Sequence, residues 1–569
     1  MQNMHGLKVV DVSLRAVLPM LFLTSTLSAA QPQCSGPPTC ADRRPPPAER
    51  SFTSPAVDAF IARLSANMTA KPELACLFRN TLPNTLDTTV RPGSRVVGGA
   101  GSRVVGGAGS RVVGGAGLHV VGGGDDDHTL IITGDIDAMW LRDSTNQVLP
   151  YLEFAASDAA LRRMLAGVLR QQTLFVNAEP YANAFYLASD PSMSSPNAGD
   201  DTSSPSKLCV ASGGNTSYVG TRTNGMKLGV YERKYELDSL MNFLKLGRSY
   251  HAAAGDAAPF DAQWLAAVAL VLDVLESQQQ SSAADEAAPC GAAYTFSRNN
   301  IAGQGPLNSL INGVGRPCRR TGMIRSAFRP SDDACTFPFL VPSNAMAVVE
   351  LRHTAALLRT LGGGDRGDRG GGGGDAARGA VAARCERLAD EVDAGIKAHG
   401  IVEQPGGVGG GGGGKVYAYE VDGFGNAHMM DDANVPSLLS LPWLGYVAAT
   451  DPVYQRTRAY VLSTKSNPWF YEGSAGAGVG SPHTGPGTIW PMAVTMRALT
   501  ASSDGDIERS LATLQGAAAA PGSWLMHESF QSDDAASFTR PWFAWANSLF
   551  GSLIVKLSRE RPHLIGIPK

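Results

Sequence analysis

Apolar residues return at intervals of three and four along most of this chain, and that period constrains the fold more than any other feature. It predicts helices over 55–67, 159–171, 235–251, 262–279, 344–361, 376–398, 451–463, 488–501, 506–517 and 542–558. Alternation of the strand kind is short and rare, with 129–132 and 416–421 as candidates. Strand and helix never alternate regularly, which argues against a TIM barrel or a doubly wound α/β sheet. Many helices joined by long irregular connections predict one large all-α domain. In a toroid of helical hairpins each helix buries one face, and the connections are left to build a site.

Glycine-rich tracts interrupt the pattern. The unit Gly-Ser-Arg-Val-Val-Gly-Gly-Ala repeats in tandem over 93–116, with a degraded copy over 117–124. Eight residues are too few for a helical solenoid repeat. Glycine at this density also weakens strands, although the Val pairs leave a small β-stack open. The tract 93–124 therefore reads as an expanded surface loop, as do 362–375 and 405–414. None has the context of a phosphate cradle.

At the N-terminus, Lys8 and Arg15 precede an apolar run over 16–27 that Pro19 interrupts, followed by the small residues Ser28, Ala29 and Ala30. Residues 1–30 read as a cleaved signal peptide, with a short uncleaved anchor as the alternative. The Pro-rich stretch 31–50 reads as a linker, which leaves 51–562 as the single domain. Eight cysteines without a CxxC pair, and sequons at Asn67 and Asn215, fit the secretory route or the extracellular space. With 48 basic and 51 acidic residues, the chain has no excess of charge to attract nucleic acid or anionic lipid. A monomer with a neutral partner is expected, with no membrane span once the leader is removed.

The connections carry the chemistry. Five segments mix Asp, Glu, Arg, His, Asn and Trp, which is the mixture that grips sugar hydroxyls and covers a sugar's apolar face. They are 134–144, 235–240, 325–333, 428–434 and 527–547. Asp238 lies between Leu237 and Leu240, where desolvation raises a carboxyl toward the range of a general acid. It reads equally as a surface residue paired with Lys234. Glu528 reads as a base that polarises water, or as a buried partner of Arg540. Asp143 reads as a hydroxyl acceptor, or as a brace for Arg142. No GxSxG elbow or HExxH helix occurs. Metal readings rest on Asp125 to Asp127 and on His428 with Asp431 and Asp432.

These segments, in this order, resemble glycoside hydrolase family 125, the exo-α-1,6-mannosidases. The resemblance runs from Pro72-Glu73-Leu74 and Leu82-Pro83-Asn84-Thr85-Leu86-Asp87 through the stretches 133–151, 235–240, 326–344 and 419–436. It continues at Gly480-Ser481-Pro482-His483-Thr484-Gly485 and ends over 538–547. It implies an (α/α)6 barrel with no metal or other cofactor, and an inverting enzyme that removes terminal α-1,6-linked mannose from oligosaccharides or N-glycans. On the matching positions it implies Asp238 as general acid and Glu528 as general base. Trp140, Arg142, Asp143, Arg325, Asp432, Asn434, His483 and Arg540 are the expected substrate-binding residues. Another inverting helical-barrel glycosidase, or a catalytically silent secreted sugar-binding protein, would share most of these features.

Overall fold

The computed structural model describes residues 40–93, 95–98, 118–121, 128–205, 222–288, 290–298, 306–362, 372–404 and 413–568. The expected leader over 1–30 and the candidate calcium site at Asp125 to Asp127 lie outside them. The longer helices are α1 (Pro55–Asn67), α2 (Pro72–Thr81), α3 (Leu141–Val148), α4 (Ala159–Ala178), α5 (Leu237–Ala254) and α6 (Ala262–Ser277). They continue with α7 (Val341–Gly362), α8 (Gly372–Gly395), α9 (Pro452–Val461), α10 (Pro491–Leu499), α11 (Asp504–Ala519) and α12 (Ala544–Glu560).

Local chemistry sets many of their starts. Ser54, Asp158, Asp261, Asp451 and Ser503 each accept a backbone N–H of the first turn, satisfying donors that a helix start leaves free. Pro491 opens α10 as its first residue, so Thr488–Ile489, expected as helix, forms a strand instead. The glycine tract over 362–375 is helical from Gly372 onward.

Burial sorts the helices into two tiers. The first turns of α5, α7, α10 and α12 are buried without interruption, from Leu237 to Gly247, Val341 to Leu351, Pro491 to Met496 and Ala544 to Leu549. A helix enclosed on every side belongs to the interior of a bundle. Packing links α10 to α12, α12 to α3, α3 to α5 and α5 to α7. Against this series lie α11 on α10, α2 on α12, α4 on α5 and α8 on α7.

Strands are more numerous than the sequence pattern predicts. The described residues hold eight small antiparallel sheets of two or three strands. Three of them stand directly before interior helices. Met139–Trp140 joins Ala184–Phe185 and Val230–Glu232 ahead of α3 and α5. Phe339–Leu340 joins Glu420–Val421 and Ala427–His428 ahead of α7. Thr488–Ile489 joins Ser529–Gln531 and Asp534–Thr539 ahead of α10 and α12. The expected strand 416–421 divides between two sheets, Lys415–Tyr417 pairing with Ile401–Glu403 instead. At the ends of the repeat tract, Arg95–Gly98 and Leu118–Val121 pair as an antiparallel ribbon rather than a plain loop.

The stretch expected as a linker is fastened to the domain over its described part. Cys40 is disulfide-bonded to Cys76, and Arg44 reaches Asp58 at 2.7 Å and Asp87 at 2.8 Å. Cys318, Cys335 and Cys385 are free thiols, and Cys290 is disulfide-bonded.

Candidate active site

The first turns of α3 and α5 lie side by side and bring Arg142, Asp143, Glu236 and Asp238 together. Arg142 is the hub. Its Nη1 donates to Glu236 Oε2 at 2.5 Å and lies 3.7 Å from Asp238 Oδ2. Its Nη2 reaches Asp332 Oδ1 at 3.3 Å, and its Nε lies 3.3 Å from Asp143 Oδ2. One guanidinium thus faces four carboxyl groups, and all but Asp332 are almost wholly buried.

A single cation cannot offset four carboxylates in a poorly solvated interior, so the cluster retains protons. Burial pushes Asp238 up to about 7 and Asp143 up to about 6, against the pull of Arg142 in both cases. Burial also raises Glu236 well above the usual carboxyl range, again against Arg142. Asp332 goes the other way. Burial opposes its charge, but Arg142, together with Lys234 and His483, holds it ionised far below the usual range. Neither Asp238 oxygen has a hydrogen-bond partner among the described residues.

Asp332 is fixed by an uncommon backbone. Its φ of 65° is left-handed, and Oδ1 accepts from Trp140 Nε1 at 3.3 Å and Asn183 Nδ2 at 3.1 Å besides Arg142. A non-glycine residue held in that region marks a site where geometry outranks local comfort. Lys234, a possible partner for Asp238, donates instead to the Asp332 carbonyl at 2.7 Å and Asn308 Oδ1 at 3.1 Å. The pairing of Asp238 with Lys234 is therefore excluded. The neighbouring Asp333 contacts His483 Nδ1 at 3.3 Å. Burial disfavours the imidazolium, yet Asp333, with Glu528 and Asp332, lifts His483 to about 9.

Glu528 forms the other wall. It stands just before the strand Ser529–Gln531, and Arg540 Nη1 donates to its Oε1 at 3.4 Å. Arg540 has a φ of 48° and stacks on Phe543 at 4.6 Å, while Arg142 stacks on Trp545 at 5.6 Å. The Phe543 and Trp545 rings lie 6.1 Å apart, so the start of α12 joins the two walls. A protonated buried carboxyl, a more open carboxylate and ionised groups between them are the parts of an acid–base hydrolytic site.

Of the expected site residues, the structure gathers Trp140, Arg142, Asp143 and Asp238 on one wall, and His483, Glu528 and Arg540 on the other. Trp140 is buried against Tyr231, with ring centroids 5.2 Å apart, and acts on the site through Asp332. Arg325 is not brought to this cluster by any contact among the described residues. Its guanidinium is tied to Asp285 at 2.6 Å and to the Gln278 carbonyl at 3.3 Å, and it lines a separate cavity with Tyr294 and Cys335. Asp432 and Asn434 contact each other, and Asp432 also contacts Ser481. Asp432 Oδ1 accepts from the Asn434 backbone and amide, both at 3.0 Å, and Oδ2 accepts from Ser481 at 3.0 Å, bracing the loop that carries His483. Asp431 accepts from Leu438 N at 2.8 Å and Leu439 N at 2.9 Å. No group of three His, Cys, Asp or Glu suited to a metal ion occurs among the described residues. Glu236, Asp332, Asp333, Asn183 and Asp135 complete the site and were not singled out from sequence. Asp332, Asp333, Glu236 and Asp135 lay inside polar segments already noted, but nothing marked Asn183.

Comparison with known proteins gives a consistent result. Residues 71–555 match the family described as metal-independent α-mannosidases (GH125). A Schizosaccharomyces pombe relative, the meiotically up-regulated gene 157 protein, is 39% identical over 534 residues, covering 93% of this chain and 91% of that one. A solved Streptococcus pneumoniae structure from a study of metal-independent α-mannosidases, a non-productive complex with α-1,6-mannobiose, superposes with a TM-score of 0.71 at 32% identity. The match covers 89% of this chain and 99% of that one.

Proposed function

Because the chain belongs to glycoside hydrolase family 125, the metal-independent α-mannosidases, we propose that it is an inverting exo-enzyme releasing terminal α-1,6-linked mannose from oligosaccharides or N-glycans. The observation that carries this reading is the Asp238 carboxyl, wholly buried, with both oxygens lacking a hydrogen-bond partner among the described residues and lifted to about 7. Such a group holds its proton near neutral pH. Asp238 gives that proton to the glycosidic oxygen as the bond to the anomeric carbon breaks. Glu528 takes a proton from the water that attacks the opposite face. Asp332, kept ionised by Arg142, supplies a fixed negative charge for the oxocarbenium-like transition state.

The α-1,6 linkage is supported by the mannobiose bound to the Streptococcus pneumoniae protein. The two tiers of helices support an (α/α)6 barrel as the complete arrangement. The Cys40–Cys76 disulfide supports placement in the secretory route. We take the active form to be a monomer.

A panel of α-1,2-, α-1,3- and α-1,6-mannobiose, with the product anomer followed by NMR, tests the reading. Hydrolysis of the 1,6 isomer alone, giving β-mannose first, is expected. Release of α-mannose would exclude inversion, and no hydrolysis with retained sugar binding would favour a silent binding protein. Asp238→Asn and Glu528→Gln should each lower kcat by roughly 10²–10⁴-fold with the fold intact.

A further inference from the structure

Asp135 lies in a motif noted in the sequence that the acid–base reading leaves without a role. It occupies the turn after Gly134, whose φ is 115° and whose Cα faces the Trp542 ring so closely that a Cβ would come within 2.8 Å of it. That contact sets Asp135 beside Arg540, 405 positions away in sequence. Arg540 Nε donates to Asp135 Oδ2 at 3.1 Å, and Nη2 donates to Asp135 Oδ1. The planar fork of the guanidinium is thereby taken up by Asp135, and only Nη1 remains for Glu528, at 3.4 Å. The Arg540 backbone is fixed as well, its carbonyl lying 3.0 Å from His527 Nδ1.

We propose that Asp135 is a positioning residue, which holds the fork of Arg540 away from Glu528 so that the glutamate stays open to the attacking water. This rests on Glu528 being the base. The charged groups that bear on this arrangement are Arg540 and His483 toward Glu528, with Asp143 acting on Arg540. His527 is engaged elsewhere, between the Arg540 carbonyl and Ser523. Once Asp135 is neutralised, Glu528 is the carboxyl group already touching Arg540, and the freed fork closes on it. A carboxylate gripped in both directions is a weaker base.

The test is Asp135→Asn, with Asp135→Ser as a smaller second replacement and Asp135→Glu as the conservative control, read by kcat, KM and the pH profile of kcat/KM. Either neutral variant should lower kcat about tenfold, with KM little changed. The acidic limb of the profile should move down by about one pH unit, the shift that corresponds to a tenfold stronger preference for the charged form. Asp135→Glu should restore most of both. An acidic limb that stays in place or moves upward overturns the proposal, as does an Asp135→Glu variant no better than Asp135→Asn. Glu528→Gln measured alongside separates the two readings. If Glu528→Gln keeps full turnover, the base assignment fails. If it is inactive while Asp135→Asn behaves as wild type, the positioning role alone fails.

Discussion

At the scale of single residues, the state of Asp238 depends on what surrounds Arg142. Glu236 takes the closest contact to that guanidinium at 2.5 Å, yet burial keeps Glu236 protonated, so Arg142 retains charge to act on Asp238 from 3.7 Å. An acid with a pKa near 7 must be protonated to work, so kcat/KM should fall as pH rises through about 7. Because Glu236 is held neutral, Glu236→Gln should leave that basic limb within about half a unit. A downward shift of more than one unit would show that Glu236 is ionised and screens Arg142. Local sequence made Asp238 a plausible acid from its apolar neighbours, and the structure confirms the desolvation. It did not single out Asp332 within its polar segment and gave no hint of Asn183, and the two act across separations of 190 and 53 residues. Such pairings exist only after folding, and no local spacing encodes them.

Among elements, α3 shows why the site was harder to read than the helices. Its eight residues, Leu-Arg-Asp-Ser-Thr-Asn-Gln-Val, carry no apolar stripe, because its polar side chains are buried in the site and its neighbours rather than exposed. Periodicity finds helices that bury one face against water, and α3 has no wet face to contrast with. The start of α5, expected at 235, falls two residues later at Leu237. Glu236 holds the capping position but makes no side-chain cap, its carboxyl being given to Arg142 and Ser239. The loop bearing Asp332 and Asp333 is anchored from outside. Arg329 Nε donates to Glu420 Oε1 at 2.6 Å, and Glu420 Oε2 accepts from Thr336 N and Phe337 N, both at 3.0 Å. Both side chains of this ion pair are buried. Removing one partner leaves an uncompensated charge, so Glu420→Ala should cost about 3–5 kcal/mol in chemical denaturation. It should also lower kcat by releasing Asp332. Unchanged stability would mean that Arg329 finds another acceptor or water.

For the whole molecule, the helical period correctly indicated a mainly helical chain, because burial in two tiers leaves its mark on most of the long helices. Strand alternation found Thr129–Ile131 and the ends of 416–421 but missed the other small sheets, since strands of two or three residues are too short to show it. The tract 93–124 reads as a surface loop, with a small β-stack of its Val pairs left open, and Gly98 and Leu118 are in fact paired and end a ribbon whose strand Arg95–Gly98 packs on α4. That register makes a sharp test of whether the repeats serve the enzyme. Joining residue 98 to residue 118 through Asn-Gly fits the two-residue turn that antiparallel strands favour. Replacing 99–117 in this way should leave the melting temperature unchanged and kcat/KM on α-1,6-mannobiose within about twofold of the parent, because the fastening to α4 survives. A loss of tenfold or more, confined to longer mannose oligosaccharides, would instead place the repeats against substrate beyond the first sugar. The same loss on the disaccharide would place them at the cleavage site itself.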